Sequence, residues 1–304
     1  MEGGTLITVV VPCFRAAPDR LARLYRSLLA QTHRDFEVIV VNDGGRGPQA
    51  APPRDDRFRL LSRPVRCGPS AARNAGAGEA RGELLFFTDS DCELAPDSLA
   101  VAVAALGEAP LVAGNTLTRA STRFGRLVAC LGFPGGGTLG FDRVWRVDPE
   151  GFTNSVSGCN FAIRKAVFHE VGGFDATIPV AGGEDTVLGK TAVRQGHRIR
   201  YRAEQLVYHA GRESLRSFVG WQVTRGRGSF HIGQRIGGLP GFLRLRLWSL
   251  RNSLTAAGML RAPGVLALFA LLLALQALGY ELERARARRA RRRLPLADLR
   301  RAAA

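Results

Sequence analysis

Apolar and polar positions alternate along the first 120 residues in two different periods, one typical of strands and the other of helices. Short apolar runs, rich in β-branched residues, predict buried strands over residues 5–11, 37–42, 57–62, 84–88 and 111–117. Between them, apolar residues at helical spacing predict helices over residues 19–31, 70–80 and about 97–107. Strands that alternate with helices are typical of a parallel sheet with both faces covered.

The pattern is less regular in the second part of the chain. Residues 119–153 are rich in glycine and predict no clear element. Beyond them we expect an extended segment over 156–164, a short helix over 165–171, a longer helix over 185–195, and short strands over 198–201 and 206–208. The chain is therefore predicted to continue the α/β architecture to about residue 210.

The C-terminal part has a different composition. Residues 239–259 alternate Leu, Phe and Trp with arginines, which is typical of an amphipathic interfacial helix. Residues 262–280 carry no charge and as a helix would reach roughly 28 Å, close to the ~30 Å hydrocarbon core of a bilayer. Gly258 and the Ala-Pro-Gly at 262–264 predict a turn between two helices. A monotopic hairpin is the expectation; a single span, or a helix packed on the first domain, remains open.

Charge and cysteine content narrow the possible partners and compartment. The chain carries a net charge of +17, and the sequence from residue 242 onward contains 13 arginines but three carboxylate side chains. The basic run at 284–293 directly follows the apolar segment, and no nucleic-acid-binding module is visible, so an anionic membrane surface is favoured over nucleic acid. Five scattered cysteines and an N-terminus without a secretory leader predict a cytosolic chain with reduced thiols.

The candidate chemistry begins at the predicted strand over 84–88, which leads into Asp89-Ser-Asp91. Two carboxylates this close repel each other unless a cation lies between them. Mg²⁺ and Mn²⁺ prefer oxygen ligands and substrate phosphates, and the carboxyl ends of strands in open α/β sheets are where ligands bind. Asp89 and Asp91 therefore predict a metal–diphosphate site; a solvated turn is the alternative.

Further motifs follow in a fixed order. They are VPCFR at 11–15, VNDG at 41–44, GPSAARNAG at 68–76, DSD at 89–91, GGFD at 172–175, GED at 183–185 and VYH at 207–209. This order resembles the inverting family-two glycosyltransferases over about residues 5–210. The resemblance implies a GT-A fold, a mixed Rossmann-like sheet flanked by helices, with Mn²⁺ or Mg²⁺ as cofactor and a nucleotide-diphosphate sugar as donor.

The same resemblance implies roles for residues of this chain. Pro12 and Asp43 would hold the nucleotide base, with Cys13 and Arg15 beside them, and Arg73 would lie near the phosphates. Asp89 would meet the ribose and also the metal, Asp91 would bind the metal, His209 would close on the metal or diphosphate, and Ser90 would lie between the two aspartates. Asp185 would be the catalytic base with Glu184 beside it, and Gly158 and Asn160 would line the sugar pocket.

Each of these roles has a plain structural alternative. Asp43 could shape the turn with Gly44, Asp185 could interact with a helix dipole, His209 could be an ordinary buried histidine, and Arg73 could be a solvated helix arginine. Two positions depart from the family pattern, because Arg15 stands in place of asparagine and Asn42 in place of aspartate. These departures leave the preferred base open.

The segment WQVTRGRG at 221–228 resembles a degenerate form of the Gln-x-x-Arg-Trp motif of processive polysaccharide synthases. Gln222 and Arg225 match, but Gly226 stands where tryptophan would. Arg225 or Arg227 is expected to cap the donor diphosphate, with a solvated basic loop as the alternative. The lost tryptophan favours transfer of a single sugar.

Together these observations predict a catalytic domain over residues 1–236, with a nucleotide half (1–118) and an acceptor half (119–236), followed by helices and a basic tail over 237–304. The predicted activity is metal-dependent, inverting transfer of one sugar to a lipid-linked or glycan acceptor in envelope or exopolysaccharide assembly. Residues 239–293 would bind the cytoplasmic face of the plasma membrane. A nucleotidyltransferase and an inactive membrane scaffold are the alternatives.

Overall fold

The computed structural model describes residues 5–45, 51–237 and 242–293, and a nine-stranded mixed sheet lies at the centre of these described residues. The strands are β1 (Ile7–Cys13), β2 (Phe36–Asp43), β3 (Phe58–Arg63), β4 (Leu84–Thr88), β5 (Cys92–Leu94), β6 (Leu111–Arg119), β7 (Phe152–Thr153), β8 (Asn160–Arg164) and β9 (Ile199–Ala210). Their order is β3-β2-β1-β4-β8-β6-β9-β5, and β7 pairs with β9.

The helices flank this sheet and continue beyond it. They are α1 (Pro18–Leu29), α2 (Pro69–Gly78), α3 (Ser98–Leu106), α4 (Arg123–Ala129), α5 (Lys165–Glu170), α6 (Glu184–Arg194), α7 (Leu215–Ile236), α8 (Phe242–Ala257) and α9 (Ala262–Arg293). A short 3-10 turn covers Phe141–Arg143. The predicted first helix and the helices at 70–80 and 97–107 are confirmed within one or two residues of their ends.

The first half of the sheet is parallel, as the pattern predicts. β1 pairs in parallel with β2 and β4, and β2 pairs in parallel with β3. β2 and β4 are buried along their whole length, which explains their continuous apolar runs. Helices on both faces build two hydrophobic cores: Leu21 and Leu28 of α1 pack on one face, and Ala72 of α2 and Leu188 of α6 pack on the other.

The second half of the sheet departs from the all-parallel expectation. β8 is inserted antiparallel between β4 and β6, and β5 and β7 are antiparallel to β9. The two short strands predicted over 198–201 and 206–208 form one strand, β9, whose register against β6 shifts between Gly114 and Asn115. Residues 119–153, for which no element was predicted, contain α4, the 3-10 turn and β7.

The segment at 221–228 is not a loop, so the solvated-loop alternative is wrong. It lies inside α7, which begins with a capping box at Ser214 and Ser217 and ends at Gly237 in a left-handed conformation. α7 crosses the end of the cleft described below and then packs along α9. It therefore joins the sheet domain to the C-terminal helices.

The C-terminal helices confirm the predicted break, since Gly258 (φ +70°) and the residues after it separate α8 from α9. The predicted start of the first helix at 239–241 lies outside the described residues, as does the tail beyond 293. Within the described residues, α9 is the helix long and apolar enough to cross a membrane, by length and composition only.

One face of α9 packs on the rest of the protein. Val265, Leu268 and Leu272 join a third core with Phe133 and Phe218. The opposite face exposes several leucines, namely Leu266, Leu273, Leu278 and Leu282. The alternative of a helix packed on the first domain is thus correct for one face of α9. The exposed leucines elsewhere on α9 are accessible to an apolar surface.

Candidate functional site

A cleft of about 1040 Å³ opens at the carboxyl ends of β1, β2 and β4. One wall comes from the parallel half of the sheet and the opposite wall from the start of α6 and the first turns of α7. Of the predicted site residues, those that line the cleft are Pro12, Cys13, Arg15, Asp43, Arg73, Asp89, Ser90, Asp91, Gly158, Glu184, Asp185, His209 and Arg225. Residues predicted from motifs far apart in sequence thus meet at one site.

Asp89, Asp91 and His209 bring ligand atoms within 4.8 Å of one another. β4 ends at Thr88 and delivers the two aspartates, while β9 delivers the histidine. His209 Nε2 lies 3.5 Å from Asp91 Oδ1, and Nδ1 lies 2.9 Å from the Ala210 carbonyl oxygen. Because a carbonyl can only accept, Nδ1 donates to it, which leaves Nε2 as the nitrogen that could bind a cation shared with the carboxylates. Two carboxylates and one imidazole fit Mn²⁺ or Mg²⁺.

The electrostatics of His209 follow from the same neighbours. Burial by itself would lower the pKa of His209, but Asp91 and then Cys159 outweigh it, so the pKa is raised. Arg20, on α1, places Nη1 3.5 Å from Asp91 Oδ2. Asp91 thus lies between a histidine and an arginine at the floor of the cleft.

Arg73 connects the two walls of the cleft. Its Nη2 donates to Asp89 Oδ1 at 2.7 Å and its Nη1 donates to Glu184 Oε1 at 2.9 Å. Arg73 and Glu184 are buried, so the alternative of a solvated helix arginine is wrong. Burial would lower the pKa of Arg73, but Asp89 and Glu184 reverse this and raise it. Burial raises the pKa of Glu184 against the opposing effect of Arg73. Glu184 therefore holds Arg73 in place.

α6 begins with two carboxylates, Glu184 and then Asp185. They directly follow Gly183, which has a left-handed backbone conformation (φ +107°). Asp185 Oδ2 accepts from Gly158 N at 2.9 Å and its Oδ1 accepts from Thr186 N at 2.7 Å. Asp185 and Glu184 both line the cleft, but Asp185 is half-buried, whereas Glu184 is buried against Arg73. Its backbone partners fix its orientation, and its accessible position is suited to receiving a proton from a bound hydroxyl.

Gly158 lies where any side chain would crowd the site. A Cβ added there would stand 3.2 Å from Arg73 Nη2 and 3.5 Å from Asp185 Oδ2. The glycine therefore lets its own N–H approach Asp185, and it leaves room between the two walls.

The end of the cleft beside β1 and β2 is built around Asp43. Its two oxygens accept from Cys67 N at 2.9 Å and Gly68 N at 2.7 Å, so it organises the loop that begins α2 rather than the turn with Gly44. Pro12, Cys13 and Arg15, from the end of β1, complete this part of the cleft, and Arg15 has a φ of +51°. The structure thus places these residues in one pocket.

Two predicted site residues are not brought to the cleft. Asn160 is fully buried in the sheet, where its Nδ2 donates to the carbonyl oxygens of Asn115 and Gln205. Gln205 lies among the β9 residues that the register shift against β6 skips, and Asn115 lies directly at that shift, so the Asn160 amide satisfies carbonyls at the irregular part of the ladder. Arg227 lies on another face of α7, where its Nε donates to Glu283 Oε2 at 2.6 Å. In each case a structural partner holds the side chain away from the cleft.

Several cleft residues were missed. Arg212 is one of them: its guanidinium group lies 5.2 Å from the Trp221 ring centre, and that of the predicted Arg225 lies 5.3 Å from the same ring centre. Arg20, Arg66 and Arg216 also line the cleft. Arg20 follows Pro18 in α1 without any motif, so only the position of the helix end beside β4 could have indicated it.

Several curated proteins are similar to this chain, among them the two that follow. The pre-mycofactocin glycosyltransferase of Mycobacterium tuberculosis is 32% identical over 232 residues, which are 70% of this chain and 44% of that protein. The O-antigen biosynthesis protein RfbC of Myxococcus xanthus is 29% identical over 236 residues, 69% of this chain and 18% of that protein. The chain thus spans less than half the length of these relatives.

The fold has solved counterparts as well. The structure of GalNAc-T7 with UDP, GalNAc and Mn²⁺ has a TM-score of 0.53 and 14% identity, and the match covers 83% of this chain and 55% of that one. The likeness confirms the GT-A fold. The family model described as glycosyl transferase family 2 matches residues 8–172. That match covers more than half of the chain and contains the two aspartates that follow β4, so this protein belongs to glycosyl transferase family 2.

Proposed function

We propose that this protein transfers a single sugar from a nucleotide-diphosphate donor to a hydroxyl of a lipid-linked or glycan acceptor, with inversion and with Mn²⁺ or Mg²⁺. One observation carries the proposal: Asp89, Asp91 and His209 meet on the floor of a cleft whose opposite wall presents Asp185. A cation-binding set and a separately held carboxylate are what such a displacement needs.

The residues divide the work between the two walls. A divalent ion at Asp91 and His209 would neutralise the charge that develops on the leaving diphosphate. Asp43, with the end of β1, would position the nucleoside. Asp185 would accept the proton of the acceptor hydroxyl as it attacks, and Glu184 would keep Arg73 beside Asp89. One base on the acceptor side and a direct attack on the sugar lead to inversion.

The solved neighbour and the relatives support this proposal in different ways. GalNAc-T7 is crystallised with UDP and Mn²⁺, which is consistent with the oxygen-rich ligand set here. RfbC is named for O-antigen biosynthesis, which supports a role in envelope polysaccharide assembly. The exposed leucines of α9 and the arginines that follow support attachment to the cytoplasmic face of a membrane.

The test is a panel of nucleotide sugars incubated with the purified full chain and Mn²⁺, with release of the nucleoside diphosphate as the readout. Hydrolysis of one donor above the others, lost on chelation and restored by Mn²⁺, is the expected result. Release of pyrophosphate from a nucleoside triphosphate, with no donor hydrolysed, would instead identify a nucleotidyltransferase. No turnover and no nucleotide binding would indicate an inactive scaffold.

A further inference from the structure

A second group of potential metal ligands includes Cys92, the residue that follows Asp91 in the chain. Cys92, Cys159 and His209 bring two thiol sulfurs and one imidazole nitrogen within 4.8 Å of one another, and all three residues are buried. Cys92 is paired with His209 across the antiparallel β5–β9 ladder, and Cys159 comes from the turn before β8. Three separate segments of the sheet therefore hold this cluster.

We propose that Cys92, Cys159 and His209 form a site for a thiophilic divalent cation such as Zn²⁺ or Cd²⁺. Around tetrahedral zinc, with Zn–S of about 2.3 Å and Zn–N of about 2.0 Å, ligand atoms stand roughly 3.6–3.8 Å apart. Atoms already within 4.8 Å of one another need to close by about 1 Å at most. The metal would form two bonds to sulfur and one to nitrogen, both thiols would release their protons to solvent, and water would fill the fourth position.

The surroundings suit such an ion. His209 donates from Nδ1 to the Ala210 carbonyl, so its Nε2 is the nitrogen that can bind a metal. Cys159 Sγ lies 3.3 Å from Ser157 Oγ and 3.8 Å from Thr116 Oγ1, two hydroxyls that can donate to a thiolate. Cys159 and His209 line the cleft, which gives a cation a route to the site.

His209 belongs to both ligand groups, and this connects them. Thiolates select soft cations such as Zn²⁺ and Cd²⁺, whereas carboxylates select Mn²⁺ and Mg²⁺. An imidazole nitrogen bound to zinc among the sulfurs is not available beside Asp91 and Asp89. We therefore infer that Zn²⁺ weakens the binding of a nucleoside diphosphate that Mn²⁺ supports. This consequence rests on the proposed function, whereas the thiolate site itself does not.

The first test needs neither nucleotide nor turnover. Cd²⁺ added to the reduced full chain should produce the ultraviolet charge-transfer absorption of Cd–thiolate bonds at one equivalent, measured in a Cys67→Ser background because Cys67 is exposed. Cys92→Ser and Cys159→Ala should each abolish the absorption or weaken Cd²⁺ binding. The loss of Cd²⁺ affinity should exceed the roughly 10–100-fold that results from removing a hydrogen-bond partner of a metal ligand. His209→Gln keeps both thiols and should still weaken binding.

A matched control is Cys130→Ser, another buried cysteine, which packs near α4 outside the cluster and should leave the absorption intact. Circular dichroism spectra of each variant, compared with that of the native chain, are the control for folding. A folded protein that gives no absorption, or an absorption that survives Cys92→Ser, Cys159→Ala and His209→Gln alike, would overturn the site.

The second test is UDP binding with Mn²⁺, measured with and without Zn²⁺ within each variant. Zn²⁺ should weaken UDP binding in the native chain and should do so less in Cys92→Ser. If Cd²⁺ binds as expected but no nucleoside diphosphate, UDP or another, binds even without Zn²⁺, the proposed function fails and the thiolate site stands. Equal weakening by Zn²⁺ in both proteins would overturn the competition.

Discussion

Gly226 of α7 lies against the backbone of Gln276 of α9, so closely that a Cβ added to Gly226 would stand 2.1 Å from the Gln276 carbonyl oxygen. One turn further along, a Cβ on Gly279 would stand 2.1 Å from the Val223 carbonyl oxygen. Gln276 also donates to Gln222 at 2.8 Å. The position where the resembling synthase motif has tryptophan is therefore one where α7 and α9 approach each other closely.

Gly226→Ala and Gly279→Ala should each loosen this helix pair, because the new methyl group meets backbone that cannot move aside independently. We expect a loss of roughly 1–3 kcal/mol in the free energy of unfolding, as for overpacked cores, and faster tryptic cleavage at the arginines of α9. The matched control is Gly233→Ala in the same helix, where nothing lies within 4 Å of an added Cβ. It should be neutral or stabilising by up to about 1 kcal/mol. Equal effects at positions 226 and 233 would contradict the close packing.

Asp91→Ala should remove Mn²⁺-dependent binding of UDP, because Asp91 is the carboxylate that faces both His209 and Arg20. Isothermal calorimetry with and without Mn²⁺ measures it. Asp56→Ala, an exposed carboxylate before β3, serves as the control and should bind as the native chain does. Unchanged affinity in Asp91→Ala would remove this residue from the metal site.

Asp185→Asn should keep UDP affinity and lose sugar transfer by about 10²–10⁴-fold, the usual contribution of a general base. The amide retains an oxygen for the backbone donors but cannot take the acceptor proton. Transfer rates from the preferred donor, with UDP affinity of the same preparation as the internal control, give the answer. A rate within about tenfold of the native chain would mean that another group is the base.

Glu37→Gln should destabilise the fold in a pH-dependent manner. Glu37 is buried in β2 and accepts from Thr8, from the Arg81 backbone and from the Arg81 side chain at 2.6–2.8 Å. Burial would raise the pKa of Glu37, but these partners outweigh it and lower the pKa below its ordinary value. The stabilisation by the carboxylate is thus present above that value and is lost as pH falls through the folded-state pKa.

Urea unfolding should therefore show a loss of about 1–3 kcal/mol in Glu37→Gln at pH 7, in the range for buried hydrogen-bonding groups left short of partners. The difference should shrink at an acid pH below the lowered folded-state pKa of Glu37, where the native carboxyl group is protonated as well. The same difference at both pH values would show that the charge of Glu37 contributes nothing.

The monotopic arrangement predicts that both flanks of α9 stay on the cytoplasmic side, where its arginines meet anionic headgroups. A cysteine at Ala303, in a Cys67→Ser background, should resist a membrane-impermeant thiol reagent on intact cells. The same cysteine should be labelled after the membrane is permeabilised. Labelling from outside intact cells would demonstrate a span and refute the monotopic anchor.

The parts of the site that lie at strand ends were predictable from the chain. Asp89 and Asp91 directly follow a buried apolar run, and the carboxyl ends of neighbouring parallel strands necessarily meet. The parallel half of the sheet was predictable for the same reason, since continuous apolar strands between helices have few other solutions. The insertion of β8 was not, because a five-residue strand carries no sign of its direction or neighbours.

Residues whose roles depend on distant backbone could not be placed. Asn160 turns into the sheet because a register shift far along the chain leaves two carbonyls to accept from it. Arg227 turns away from the cleft because Glu283 reaches it from α9. Neither partner is visible from local periodicity. The close approach at Gly226 likewise depends on where α9 lies, so the missing tryptophan could be noticed but not explained.

Arg73 reaches from Asp89 to Glu184, and its reach fixes how far apart the two halves of the site can be. The separation between the end of β4 and the start of α6 thereby depends on the length of the Arg73 side chain. Arg73→Lys would replace the planar fork by a single ammonium, which cannot donate to both carboxylates in the same geometry. The width of the cleft at this point thus depends on a residue on α2, outside both of the segments that it connects.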